Sequence, residues 1–141
     1  MAEGPKSGSE ARFLRGFPTF ERFSSGELNK VVRAADRVSL PANWPLIHEQ
    51  TPGDACYILL SGKVAVYAGR EPVAELGPGD VVGEVAIRQG RLRSATVSTT
   101  EAVEMLRIEG EDLTRLLREL PALRDAMDAT AAEHGGGPAG S

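Results

Sequence analysis

The sequence predicts a mainly β domain, a roll, sandwich or barrel of short strands, with helices at both ends. Three observations predict it. Between Arg37 and Ile108 turn-forming residues recur at short intervals, at Pro41, Pro45, Pro52-Gly53-Asp54, Ser61-Gly62, Ala68-Gly69, Gly77-Pro78-Gly79-Asp80 and Gln89-Gly90. The pieces between them (57–60, 63–67, 73–76, 95–99 and 103–108) are rich in the apolar and β-branched residues that suit a pleated surface. Helical periodicity is confined to the segments before and after this region.

In chain order, residues 1–10 are Gly-, Ser- and charge-rich and read as a flexible arm. Phe13, Phe17, Phe20 and Phe23 are all the phenylalanines of the chain, and they are expected to dock the N-terminal segment onto the main body. Ser24-Ser25-Gly26-Glu27 reads as a capping box, with Leu28, Val31, Val32 and Ala35 following at helical spacing. After the strands, Glu111 and Asp112 suit a helix N-terminus, where the dipole favours negative charge. Leu113, Leu116, Leu117 and Leu120 then form one apolar stripe. Pro121 breaks that helix or starts the next, expected over Ala122–Glu133 with Leu123, Met127 and Thr130 along one side. The stretch 135–141, GGGPAGS, reads as a disordered tail, so the domain is expected over residues 11–134.

The totals exclude several function classes. The chain has 141 residues, 41% of them hydrophobic, enough for one domain with a sizeable core. A net charge of −4 argues against generic nucleic-acid binding, which needs a basic face. A single cysteine, Cys56, excludes an internal disulfide and a thiolate zinc cluster. Two histidines, His48 and His134, are too few for a multi-histidine metal site. No nucleophile–base pair is evident, so the chain is not expected to be an enzyme, metal-dependent jelly-roll chemistry included. With neither a secretory signal nor a long apolar run, the expected location is the cytoplasm, with no membrane span.

One segment carries chemistry, Leu76 to Val97, which reads LGPGDVVGEVAIRQGRLRSATV. A helical turn starting near Gly83 would point backbone N–H groups outward, where they and the turn's dipole attract an anion. Gly83, Ala86 and Ser94 are small enough to let a ligand approach the backbone. Arg93 can offer a planar, two-pronged donor to a phosphate. Glu84 would repel an anion but can accept hydrogen bonds from a sugar hydroxyl. A ligand that carries both a phosphate and hydroxyls, a sugar phosphate or a nucleotide, satisfies the whole set.

This segment resembles the phosphate-binding cassette of cyclic-nucleotide-binding domains. The matching residues are Gly83-Glu84-Val85-Ala86-Ile87 and Arg93-Ser94-Ala95-Thr96-Val97, with the family's nine-residue step from Glu84 to Arg93. Upstream, residues 50–64 (QTPGDACYILLSGKV) resemble the family's strand, turn and hairpin. The resemblance covers roughly residues 13–130 and implies an antiparallel, jelly-roll-like β-roll with N-terminal helices and two C-terminal helices. It implies that Glu84 takes the ribose 2′-hydroxyl and Arg93 the cyclic phosphate. Backbone N–H groups of Val85 or Ala86, and of Ser94, would hold phosphate oxygens beside Gly83 and Ala95. A small residue at position 94 implies cAMP in preference to cGMP, without a separate cofactor. A regulatory role upstream of a protein effector follows from the same likeness.

Two substitutions depart from the family pattern. Val82 stands where the family has Phe, which predicts looser packing of the cassette, and Leu92 stands for Pro, which predicts a less rigid loop. The last helix is short, and Leu123, Arg124 and Met127 are its candidates for covering the base.

Plainer readings stand beside these. Glu84 and Arg93 can form an internal ion pair, and Arg91 reads as a solvated surface residue. His48 is expected on an edge at the surface, Cys56 in the core, and Trp44 packed over a turn. The rival function is a structural or interaction domain that keeps the roll without using the pocket. DNA binding by this chain is not expected, because only residues 111–134 remain after the strands for a recognition motif.

Overall fold

The computed structural model describes residues 6–133, so residues 1–5, His134 and the stretch 135–141 lie outside the described residues. Five helices and eight strands occur in it, with a single 3-10 turn at Pro18–Phe20. Helix α1 spans Lys6–Arg15 and α2 Ser25–Ala34. The strands are β1 (Ala35–Leu40), β2 (Pro45–Ile47), β3 (Ala55–Ser61), β4 (Val64–Ala68), β5 (Glu71–Leu76), β6 (Val81–Val82), β7 (Thr96–Thr99) and β8 (Val103–Glu109). Helix α3 (Glu84–Gln89) interrupts the strands, and α4 (Gly110–Glu119) and α5 (Pro121–Glu133) follow them.

All strand pairs are antiparallel and build two four-stranded sheets, in the orders β1-β8-β3-β6 and β2-β7-β4-β5. The first sheet is covered on both faces, which explains why β3 reads as an unbroken apolar run. Its side chains alternate between two cores, as a period of two requires. Cys56, Ile58 and Leu60 join Leu106 and Ile108 of β8 in a cluster with the helices, whereas Ala55, Tyr57 and Leu59 join Met105 in the interior of the roll. β6 divides in the same way, with Val81 in the helical cluster and Val82 in the roll.

The helices form for local reasons that the sequence states. Ser24 Oγ accepts from Glu27 N at 3.1 Å and Glu27 Oε1 accepts from Ser24 N at 2.7 Å, a complete capping box. Leu113, Leu116 and Leu120 are buried, and Leu117 packs against the same core. Phe20 and Phe23 are buried edge to face with centroids 5.3 Å apart. Phe17 lies over the turn before the cassette, so close that a Cβ on Gly79 would meet its ring at 2.9 Å. Phe13 alone of the four is mostly exposed, at 51%.

Two expectations differ from what is found. The helix begins at Lys6, inside the stretch expected as a flexible arm, because Glu10 is buried there and its Oε2 accepts from Arg37 Nη1 at 2.8 Å. Trp44, expected to pack over its turn, is 48% exposed. The Trp44 main-chain N–H donates to the Thr99 side-chain Oγ1 (2.8 Å) and holds that turn without the indole, and Ile47 takes the inward place on β2.

Leu106 sits where the first sheet meets the helices and has no exposed surface. Leu106→Ala is expected to lower unfolding free energy by about 2–5 kcal/mol, read as a shifted midpoint in urea at unchanged slope.

Candidate functional site

The site is built where β6 turns into α3. Gly83 ends the strand in the left-handed region (φ 86°, ψ 11°), and α3 begins at the next residue. A Cβ at Gly83 would lie 2.6 Å from Arg93 Nη1 and 3.0 Å from Ile47 Cδ1, so both the backbone and the space demand glycine. After Gly90 closes α3, the chain returns along residues 50–52. Arg93 N donates to Thr51 O at 2.8 Å, Gln50 N donates to Arg93 O at 2.9 Å, and Leu92 bridges to Pro52.

That return places Arg93 inside the molecule, at 2% exposure. Nη1 donates to Gly83 O at 2.5 Å, and Nη2 donates to Ala55 O at 2.6 Å and to Asp54 Oδ1 at 3.2 Å. A buried guanidinium is costly unless hydrogen-bonded, and here two main-chain carbonyls and a carboxylate meet it. Asp54 also lies 4.0 Å from Arg107.

Glu84 is equally buried, at 2%. Its ion pair is with Arg88, one turn later on α3, with Nη1 to Oε2 at 3.4 Å. Arg88 Nη2 in turn donates to Asp128 of α5. Burial raises the Glu84 carboxyl above its ordinary value, Arg88 offsets part of that rise, and the Asp128 carboxylate adds to it. The internal Glu84–Arg93 pair, one of the plainer expectations, is thus replaced by separate partners, Arg88 for Glu84 and Asp54 for Arg93.

The remaining site residues fall as follows. Val85 and Ala86 are buried on the first turn of α3, whose leading N–H groups have no acceptor within the helix. Ser94 is exposed and Ala95 fully buried, just before β7. Val82, expected to loosen the packing, is fully buried in the roll, and the loop expected to be less rigid is held by the backbone bonds on either side of Arg93. Leu92 itself is 51% exposed. Of the candidate lids, Leu123 and Met127 have no exposed surface and belong to the helical core, while Arg124 donates to Leu117 O at 2.8 Å. The packing of α5 against α4 and the Pro18–Phe20 turn takes Leu123 and Met127 into the core.

Arg91 and His48 are exposed. Cys56 lies in the core, as expected, and burial pushes its thiol up to about 12. A cleft of about 670 Å³ opens between the 52–54 turn, the end of α3 and the start of α4, and of the candidate site residues only Ala86 lines it. Arg88, Asp54 and Asp128 were not anticipated. Arg88 carries a local signal, its i+4 spacing from Glu84, whereas the other two are brought in only by the tertiary fold.

The family model of the cyclic nucleotide-binding domain matches residues 37–119. The chain belongs to this family. A cyclic nucleotide-gated potassium channel of Rhizobium etli is 34% identical over 127 residues, which is 90% of this chain and 36% of the channel. The cyclic AMP receptor protein of Thermus thermophilus is 30% identical over 84% of this chain and 57% of that protein. The regulatory subunit of a cAMP-independent protein kinase A from Trypanosoma brucei shares the fold at a TM-score of 0.81, with 20% identity over 90% of this chain and 47% of that one. The chain therefore spans little more than a third of the channel and under two thirds of the receptor protein. The cyclic nucleotide-binding domain is a regulatory ligand-binding fold and not a catalytic one, and its β-roll is the architecture found here. Among the described residues no helix is long and apolar enough to cross a membrane.

Two outcomes follow from the site's own physics. Gly83→Ala should destabilise the domain by at least about 1–2 kcal/mol in urea, because a side chain in the left-handed region adds to the displaced guanidinium. For Glu84, a raised value in the folded state means that its contribution to stability is full below the unfolded value of about 4.3 and is lost as pH rises through the folded one. Glu84→Gln, which stays neutral, is therefore expected to melt above the wild type at pH 7 without ligand. The gain should shrink as pH falls towards about 4.

Proposed function

We propose that this domain binds a cyclic nucleotide, cAMP in preference to cGMP, and acts as a ligand-sensing regulatory module whose bound state is read by a protein effector. One observation carries the reading: the guanidinium of Arg93 is held at 2% exposure directly against the left-handed Gly83 that opens α3. A fixed, buried, two-pronged cation beside the first N–H groups of a helix suits a phosphodiester, whose oxygens form stronger, charge-assisted bonds than the Gly83 and Ala55 carbonyls do. In this reading Arg93 takes the phosphate, with N–H groups of Val85 or Ala86 and of Ser94. Glu84 takes the ribose 2′-hydroxyl, and Gly83 and Ala95 leave the room. No further cofactor is required. The preference for cAMP is supported by the small Ser94 and by the likeness to a cyclic AMP receptor protein.

Ligand can shift the helices only as far as it binds one arrangement better than the other. A second reading, a roll with no use for nucleotide, is favoured by a specific observation. Glu84 and Arg93 both already have protein partners, and the trypanosome relative is described as cAMP-independent.

Thermal melts separate the two readings. At a hundredfold excess over its dissociation constant a nucleotide adds about 2.7 kcal/mol to stability, whereas no shift at millimolar cAMP or cGMP selects the second reading. Calorimetric titration of Arg93→Lys, which keeps the charge and loses the fork, should show cAMP affinity reduced about 10- to 100-fold. An unchanged dissociation constant would remove Arg93 from the site.

A further inference from the structure

We infer that Asp128, acting through Arg88, positions the Glu84 carboxylate for the ribose 2′-hydroxyl; the inference rests on the cyclic-nucleotide reading above. Arg88 touches two carboxylates with different nitrogens of one planar group, Nη1 towards Glu84 Oε2 at 3.4 Å and Nη2 towards Asp128 Oδ1. A guanidinium is a rigid fork, so fixing one prong sets the direction of the other. Glu84 is buried at 2%, and Arg88 holds it through one oxygen only. A carboxylate has two oxygens and about four acceptor directions, so this contact orients the group without exhausting it.

Asp128 is 57% exposed and lies 40 residues from Arg88 in the chain. Its place beside Arg88 is set by α5, whose Leu123 and Met127 are packed fully into the helical core. The last helix therefore contributes to the site through an ion pair, whereas its apolar residues serve the core. Without the Asp128 charge, the Arg88 side chain, only 23% exposed, has one anion left to satisfy it, and it closes on both oxygens of Glu84. The carboxylate is then withdrawn from the sugar, while the phosphate contacts at Arg93 are untouched. Asp128 is thus a positioning residue, and its effect is confined to ligands that carry the hydroxyl.

The test titrates the full chain with cAMP and 2′-deoxy-cAMP by calorimetry, using wild type, Asp128→Asn and Asp128→Glu. The exposed position of Asp128 makes both variants compatible with the fold. A hydrogen bond to an ionised group predicts that wild type prefers cAMP over the deoxy analogue by about 10- to 100-fold. In Asp128→Asn that preference should fall at least about fivefold through weaker cAMP binding, with 2′-deoxy-cAMP affinity within about twofold of wild type. Asp128→Glu should restore most of the preference. An unchanged preference in Asp128→Asn, or equal weakening of both ligands, overturns the role of Asp128 and leaves the cassette reading standing. Failure of wild type to bind either nucleotide overturns both.

Discussion

The burial of one guanidinium constrains the geometry of the whole site. Arg93 reaches three separate pieces of chain: Gly83 at the start of α3, Asp54 and Ala55 at the start of β3, and the 50–51 segment through its own backbone. Each piece pays for its place in a visible way. Gly83 must do without a side chain, and the Ala55 and Gly83 carbonyls must point at a cation that would be costly to bury alone. The loop from Gly90 must return in register with residues 50–52. The Asp54–Arg107 contact extends the arrangement to β8, which pairs with both β1 and β3.

The two cores explain how such a site is supported. Because β3 and β8 send buried apolar side chains to both faces, the first sheet is a shared wall between the roll interior and the helices. Helix α3 stands at the edge of that wall. Val82, at the end of β6 before Gly83, lies in the roll, while Ile87 packs on the helical cluster. Any displacement of α3 therefore alters packing on the helical side through Ile87 and changes the ion pair that Arg88 makes with α5. Close-packed interiors transmit such shifts because they have few voids to absorb them.

Much of this was legible locally, and the remainder failed for identifiable reasons. The capping box at Ser24, the leucine stripe of α4 and the central strands each announce themselves within a few residues, and each is found. β1 is harder to read because its burial is broken, with only Ala35 fully buried among Asp36, Arg37 and Ser39, and β6 is only two residues long. The start of α1 was hidden because Lys6–Glu10 has the composition of an arm, and what holds Glu10 down is Arg37, 27 residues on. The cassette residues were legible through a resemblance, which names positions but not the partners they have. Leu123 and Met127 illustrate the difference. Their spacing fits a lid as well as it fits a core, and the choice between the two is made by α4 and the Pro18–Phe20 turn, not by α5 itself.

The partners matter because of what ligand entry must overcome. Had Glu84 and Arg93 been joined to each other, as the simplest reading of two opposite charges in one motif suggests, a nucleotide would have to separate a buried ion pair and leave both charges to be satisfied anew, at a cost of several kcal/mol. Instead Glu84 is held by Arg88 and Arg93 by two carbonyls and Asp54. Each half of a ligand can then be exchanged for existing bonds locally. In the proposed binding mode a phosphate oxygen would replace a carbonyl at Arg93, and a hydroxyl would add to Glu84 while Arg88 stays in place. Keeping the charges on separate partners leaves the acidic half connected to α5 through Arg88.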